Sequence, residues 1–179
     1  MNALFLKIEL PDKAVAAYAR ILVDRVPEFV EWLEHAIADG FRTRTSHACF
    51  DGHEVFCLLP GERVIPLKNR TTHAHPGDVL FFQARSDEYA FLAQTRLSGG
   101  SQLVNEIAFC YGDVDLRHFC DQGMIGSLVG HIEEGLEPFA LACSQTLNEG
   151  ATSLLLTLER GRTHAQSGEQ RVSLGGMTD

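Results

Sequence analysis

Of the eight histidines in this 179-residue chain, His73 and His75 stand two apart inside its densest polar stretch, Asn69–Phe82 (NRTTHAHPGDVLFF). In an extended segment both would point to the same face. Two neutral imidazoles so placed can share a metal ion, with His47 or His118 as a third ligand. The alternative is a polar loop ahead of a turn. That reading is preferred here, so no metal and no cofactor is expected. Arg42 and Arg44 share one face of a strand-like stretch. They suit a carboxylate, which a guanidinium grips bidentately, or a solvated face with local ion pairs. His47 and Tyr111 lie among apolar residues, where each either lines a pocket or is buried with one hydrogen bond. His118 and Cys120 would suit a thiol nucleophile only with the base in reach, and a structural cysteine is the commoner case. The chain has no GxSxG elbow, phosphate-binding loop or GxGxxG run, which leaves hydrolase, NTPase and dinucleotide readings without support.

The elements that must position these groups are short. Ala3–Leu10 reads as a strand stopped by Pro11. The alanines of Val15–Val23 favour a helix. Pro27 suits a helix first turn, and Phe29, Val30, Leu33 and Ile37 follow at helical spacing up to Gly40, which predicts a helix over Pro27 to Asp39. Phe41–Phe50 alternates, Asp51-Gly52 is a hairpin signal, and Glu54–Leu59 is the return strand. Val64–Leu67 reads as a short strand. Val79–Gln83 and Tyr89–Thr95 form a candidate pair, Ser98–Ser101 a loop, and Asn105–Tyr111 a strand. Ser127–Ile132 extends, Pro138 opens a helix to about Thr146, and Ala151–Glu159 is a final strand. One domain over 1–160 is expected, with 161–179 a polar, flexible tail.

Composition narrows the partners. The chain is 45% hydrophobic, so it can bury its own core, and its net charge is −9. An acidic surface argues against nucleic acid and against an anionic membrane. No apolar run reaches the ~20 residues of a spanning helix, and MNALFLKIEL lacks a basic stretch before an apolar one. Five cysteines without CxxC spacing fit a reducing, cytoplasmic setting.

Two segments resemble the ends of a cyclophilin. LFLKIELPDKAVAAYARILVDRVPEFVEWLEHAI is similar to the opening strand, turn, second strand and first helix, most closely at Ile21–Pro27, and this recasts Val15–Val23 as a strand. LVGHIEEGLEPFALACSQTLNEGATSLLLTL is similar to the strand, glycine turn, helix and closing strand. More specifically, the chain resembles a bacterial family of unknown function with a cyclophilin-like barrel. The shared pieces are Ser46-His47-Ala48 before Asp51-Gly52, Asn69 followed by Pro76-Gly77-Asp78, Glu106 ahead of Tyr111-Gly112, and the Gly130 to Gly150 segment. The resemblance implies a mainly β fold, a closed eight-stranded barrel with two capping helices, and it alone brings Asn69 and Glu106 forward. The prolyl isomerase chemistry of cyclophilins does not carry over. Their strand arginine has no match near Ala48–His53, where no arginine follows until Arg63.

The function expected is a small-molecule binding module for a polar or anionic metabolite, with a cleft near the Asn69–Asp78 loop and Arg44, His47, Asn69, His75, Glu106 and Tyr111 as contacts. Pockets of this kind are mostly apolar with a few convergent polar groups. The alternatives are an enzyme, either acting on a small molecule or a degenerate prolyl isomerase, and a structural protein that forms a homo-oligomer through a barrel edge.

Overall fold

The computed structural model describes residues 3–48, 52–85, 102–118 and 123–161. The chain enters as a hairpin, β1 (Leu4–Leu10) and β2 (Val15–Ile21), joined by a 3-10 turn at Pro11–Lys13. Helix α1 (Pro27–Ala36) follows, then β3 (Phe41–His47) and β4 (Glu54–Leu59). Two short strands, β5 (Arg70–Thr71) and β6 (His73–Ala74), precede β7 (Asp78–Arg85) and β8 (Leu103–Cys110). After β9 (Val114–Asp115) come a 3-10 turn at Leu116–His118, β10 (Gly126–Glu134), α2 (Leu136–Glu149) and β11 (Thr152–Arg160).

The long strands run β2-β1-β11-β3-β4-β8-β7-β10, and β10 pairs back onto β2, which closes an antiparallel eight-stranded barrel. β5 adds to the edge of β10 opposite β7, and β6 pairs with β9 in a separate ribbon. Closure gives each of the eight long strands a neighbour on both sides. β10 serves two neighbours on one side: Gly126 and Ser127 face β5, while Gly130 to Glu134 face β2.

The interior is filled by alternate residues. Leu4, Leu6, Ile8 and Leu10 of β1 meet Val55, Val79, Phe81, Ile107, Phe109, Leu154 and Leu156. The helices close it with aromatics. Phe29 and Trp32 of α1 lie 4.8 and 5.2 Å from Phe81, centroid to centroid, and Phe139 of α2 meets Phe109 edge-on at 6.2 Å. Burying each such ring contributes about 1.5–3 kcal/mol. A second apolar layer lies outside the barrel wall, where Ala74, Val114 and Leu116 cover Leu80, Phe82, Ala108 and Cys110.

Several expectations change. Val15–Ile21 is a strand despite its alanines, as the cyclophilin resemblance implied. The backbone of β2 lies close under the start of α2: a Cβ added at Gly135 would lie 2.4 Å from Ala16 O and 3.1 Å from Ala17 Cα. α1 ends at Ala36 rather than Asp39. Val64–Leu67 is not a strand, because the Ile65 amide donates to the Gln83 side chain at 2.7 Å instead of to a neighbouring backbone. α2 is longer than the expected Pro138–Thr146 and fills the whole span between Gly135 and Gly150. β7 pairs with β8. Its expected partner Tyr89–Thr95, the Ser98–Ser101 loop, Cys49, Asp51, Cys120 and the tail beyond Gly161 lie outside the described residues. No helix among the described residues is long and apolar enough to cross a membrane.

Candidate functional site

The histidine pair is split between two carboxylates. His73 and Asp115 are cross-strand partners in the β6–β9 ribbon, with Nε2 3.3 Å from Oδ2. His118 approaches the same oxygen at 3.5 Å. Arg117 already holds that carboxylate bidentately, at 2.9 and 2.7 Å, and its hydrogen bonds keep Asp115 well below the usual carboxylate range. His75 lies past the end of β6 and pairs with Asp113, Nδ1 to Oδ1 2.9 Å; this bond raises its pKa above the ordinary 6.5. No three His, Cys, Asp or Glu residues among those described are arranged to hold a metal ion.

His47 and Tyr111 do meet. The ring of His47, buried on β3, has Nδ1 2.6 Å from Ala48 O and Nε2 2.5 Å from the Tyr111 hydroxyl. A neutral imidazole with Nδ1 protonated satisfies both contacts: it donates to the carbonyl and accepts the phenol O–H. Burial raises the Tyr111 pKa, which keeps that proton in place. His53 packs edge-on against the same phenol at 5.7 Å. Arg44 is elsewhere: it donates to Ala151 O and lies beside Asp12. Asn69 has a structural task. At φ 50° its Nδ2 donates to Leu128 O at 2.7 Å, while its own carbonyl accepts from Leu128 N at 3.0 Å, which docks β5 onto β10. Asparagine tolerates this left-handed conformation better than most residues. The six expected contacts therefore do not share one pocket.

Cys57, Cys110 and Cys143 are free and buried. Burial pushes the Cys57 thiol up to about 12 and raises the other two, so none offers a thiolate at neutral pH.

Glu106 stands apart. It projects from β8 onto the outer face of the wall, opposite Leu58 of β4 and Phe82 of β7. Its neighbours on that face along β8 are Val104 and Ala108, so the side chains beside it on the sheet are apolar. The carboxyl makes no hydrogen bond or ion pair with the described residues. Removal from water, and then the charge of Glu54 farther along the face, pushes it up to about 8. The residue is half-buried.

Next to Phe82 a cleft of about 290 Å³ opens, lined by Leu67, Arg70, Phe82, Gln83, Ala84, Gly123, Met124 and Ile125. A shallower hollow adjoins it, lined by Arg70, Thr71, Thr72 and Ile125. Arg70 differs from most cations of this acidic chain. Lys7, Lys13, Arg20, Arg63, Lys68 and Arg117 each face a carboxylate. Arg70 donates its Nε–H to Leu67 O at 3.1 Å and pairs with no carboxylate among the described residues. Two other clefts, of about 470 and 700 Å³, carry Asp24 and Glu133, or Asp24, Glu31 and Glu34. Among the described residues, the lining at Arg70 has no acidic side chain. Arg70 lies within the polar stretch singled out in the sequence, yet its lack of a carboxylate partner is a property of the fold, and no local signal pointed to it.

The chain belongs to a family of proteins of unknown function, DUF3830, whose model matches residues 8–158. No curated protein matches it. Among solved structures it is similar to one titled "Structure of McbB in complex with tryptophan", at a TM-score of 0.59 and 16% identity. The likeness covers 89% of this chain and 46% of that one, so this chain spans less than half the length of that neighbour. At this identity it speaks for the barrel fold alone.

Proposed function

We propose that this DUF3830 member is a small-molecule binding module that holds a compact organic anion with an apolar body in the cleft at Arg70. One observation carries the reading: in a chain of net charge −9, a guanidinium with no carboxylate partner among the described residues lines a cleft whose described lining has no acidic side chain. Any dissolved carboxylate finds there the bidentate donor that Arg70 lacks a partner for. Phe82, Met124, Leu67 and Ile125 would take the apolar body. The cleft is near the lower end of sizes that hold small ligands, which argues for a molecule of about one ring.

The barrel is read as cyclophilin-like without prolyl isomerase activity, since no arginine occupies the matching strand position. The enzymatic alternative is supported by the raised pKa of the Glu106 carboxyl, and turnover in the same mixtures would reveal it. Calorimetric titration with benzoate, 3-phenylpropionate and tryptophan tests the reading, tryptophan having both a ring and a carboxylate. Binding that is lost in Arg70→Gln supports it. Binding that Arg70→Gln leaves unchanged, or no binding by any small carboxylic acid, overturns it.

A further inference from the structure

β3 and β4 are neighbours in the barrel, but their ladder is short. It holds two residue pairs, Ser46 with Phe56 and His47 with Val55, and the Ala48 amide donates to Glu54 O at 3.0 Å beyond them. Both strands run on in the other direction, β3 back to Phe41 and β4 forward to Leu59. In an antiparallel pair a residue turns its N–H and C=O to one side, and the side alternates along the strand. Ala48 faces β4, so Ser46, Arg44 and Arg42 do as well; by the same count Glu54, Phe56 and Leu58 face β3. A continued register would pair Arg44 with Leu58, and that pair does not form. The ladder stops where the Thr45 hydroxyl donates to Phe56 O at 2.8 Å. Past that point β4 is held toward β8 and α1. The Gly61 carbonyl accepts from Asn105 Nδ2 at 2.7 Å, and a Cβ added at Gly61 would lie 2.8 Å from Trp32 Nε1. β3 stays a regular strand, because Phe41 to Thr45 pair with β11 on their other side. The barrel wall therefore has an open seam, where the peptide groups of Arg42 and Arg44 that face β4 have no backbone partner among the described residues.

We propose that this edge of β3 docks an extended peptide with acidic residues at alternate positions, which adds as an antiparallel strand. Backbone hydrogen bonds to Arg42 and Arg44 hold it, the mode in which exposed sheet edges take peptides. Charge selects the peptide. Both arginines are exposed on the outer face of β3. Arg42 makes no ion pair among the described residues, and Arg44 donates one N–H to Ala151 O beside Asp12. A side chain directly opposite each arginine on an incoming strand lies on the same face, so acids two apart meet both. A second copy is the other occupant that an open edge invites. Charge opposes it: two β3 strands paired antiparallel about Thr43 set arginine against arginine at both positions, which is destabilising. β4, β8, β7 and β10 separate this edge from Arg70 on β5, and the site does not depend on the reading there.

Three fluorescein-labelled peptides, added to the full chain and followed by polarisation, test the site. They are GSVEVEV, the same peptide with lysine for both glutamates, and the glutamate peptide methylated on its two glutamate amide nitrogens. A strand with its glutamates opposite Arg42 and Arg44 turns those two amides toward β3, so methylation removes the donors and keeps the charge. The first peptide should bind. Lysine at both positions should weaken it about tenfold, and methylation should abolish it. Arg42→Glu, an exposed substitution that leaves the ladder to β11 in place, should weaken the glutamate peptide and strengthen the lysine one. Absence of binding by the glutamate peptide overturns the proposal. So does binding that methylation or Arg42→Glu leaves unchanged. A chain that sediments as a dimer and ignores the peptide puts a second copy on the edge, and that also overturns it.

Discussion

Asp78 and His131 tie β7 to β10 by a contact of 3.1 Å between Oδ1 and Nδ1, beside Gly77. The other oxygen of Asp78 accepts from the His75 amide at 2.8 Å. One buried carboxylate thus fixes both the turn before β7 and the strand beside it. Asp78→Ala leaves that amide without its partner and should cost about 2–3 kcal/mol. Asp78→Asn keeps an acceptor for the His75 amide and should recover part of the loss. Urea denaturation of the three proteins decides this, and equal stabilities would contradict it.

Glu106 gives the fold a pH dependence of unusual sign for a carboxyl. Its folded-state pKa of about 8 lies above the ordinary 4.5, so the folded chain holds this proton more tightly than the unfolded one. The contribution is therefore best below about pH 4.5 and worsens as pH rises to about 8, by up to about 1.4 kcal/mol per unit. Other groups add slopes of their own, so the variant is compared with the wild type. Denaturation at pH 5, 6.5 and 8 should show Glu106→Gln gaining on the wild type as pH rises. A constant difference would place Glu106 in water.

His75 should titrate above 6.5, because its bond to Asp113 favours the imidazolium. A raised histidine stabilises the fold below its unfolded pKa, and that contribution is lost as pH rises through the folded value. Both side chains are well exposed, so the observable is the titration itself. Imidazole shifts followed by NMR should move down in Asp113→Asn. An unchanged midpoint would mean that the pair does not form in solution.

Gly135 and Gly52 make a controlled comparison. Both have positive φ, 77° and 89°. An alanine at 135 would place its Cβ 2.4 Å from Ala16 O, whereas one at 52 meets nothing within 4 Å. Gly52→Ala pays only the left-handed backbone term, about 1 kcal/mol. Gly135→Ala must also push α2 off β2 and should cost more than about 3 kcal/mol. Thermal unfolding of both variants measures the gap.

What the sequence revealed follows from the range of each signal. Glu54–Leu59 and the entry of α1 at Pro27 were legible because alternation and a proline are local. β2 read as helix because its alanines favour one locally, while what makes it a strand is pairing with β1 and with β10, more than a hundred residues on. His73 and His75 were visible as a pair, but their partners Asp115 and Asp113 were not. Glu106 came forward only through a family resemblance; the apolar neighbours that make it unusual lie on three strands. Arg70 carried no local signal, because whether an arginine finds a carboxylate is decided by the fold.

β1 pairs on one side with its neighbour in the chain, β2, and on the other with β11, where Leu4 faces Arg160. On a ribosome the first of these contacts forms almost at once and the second waits for about 150 more residues, roughly 7–30 s of synthesis. Throughout that interval a hairpin studded with Leu4, Leu6, Ile8 and Leu10 has an open edge and no barrel to enter. An unpaired, apolar strand edge is prone to aggregate, so a slowly translated message would lengthen that exposure.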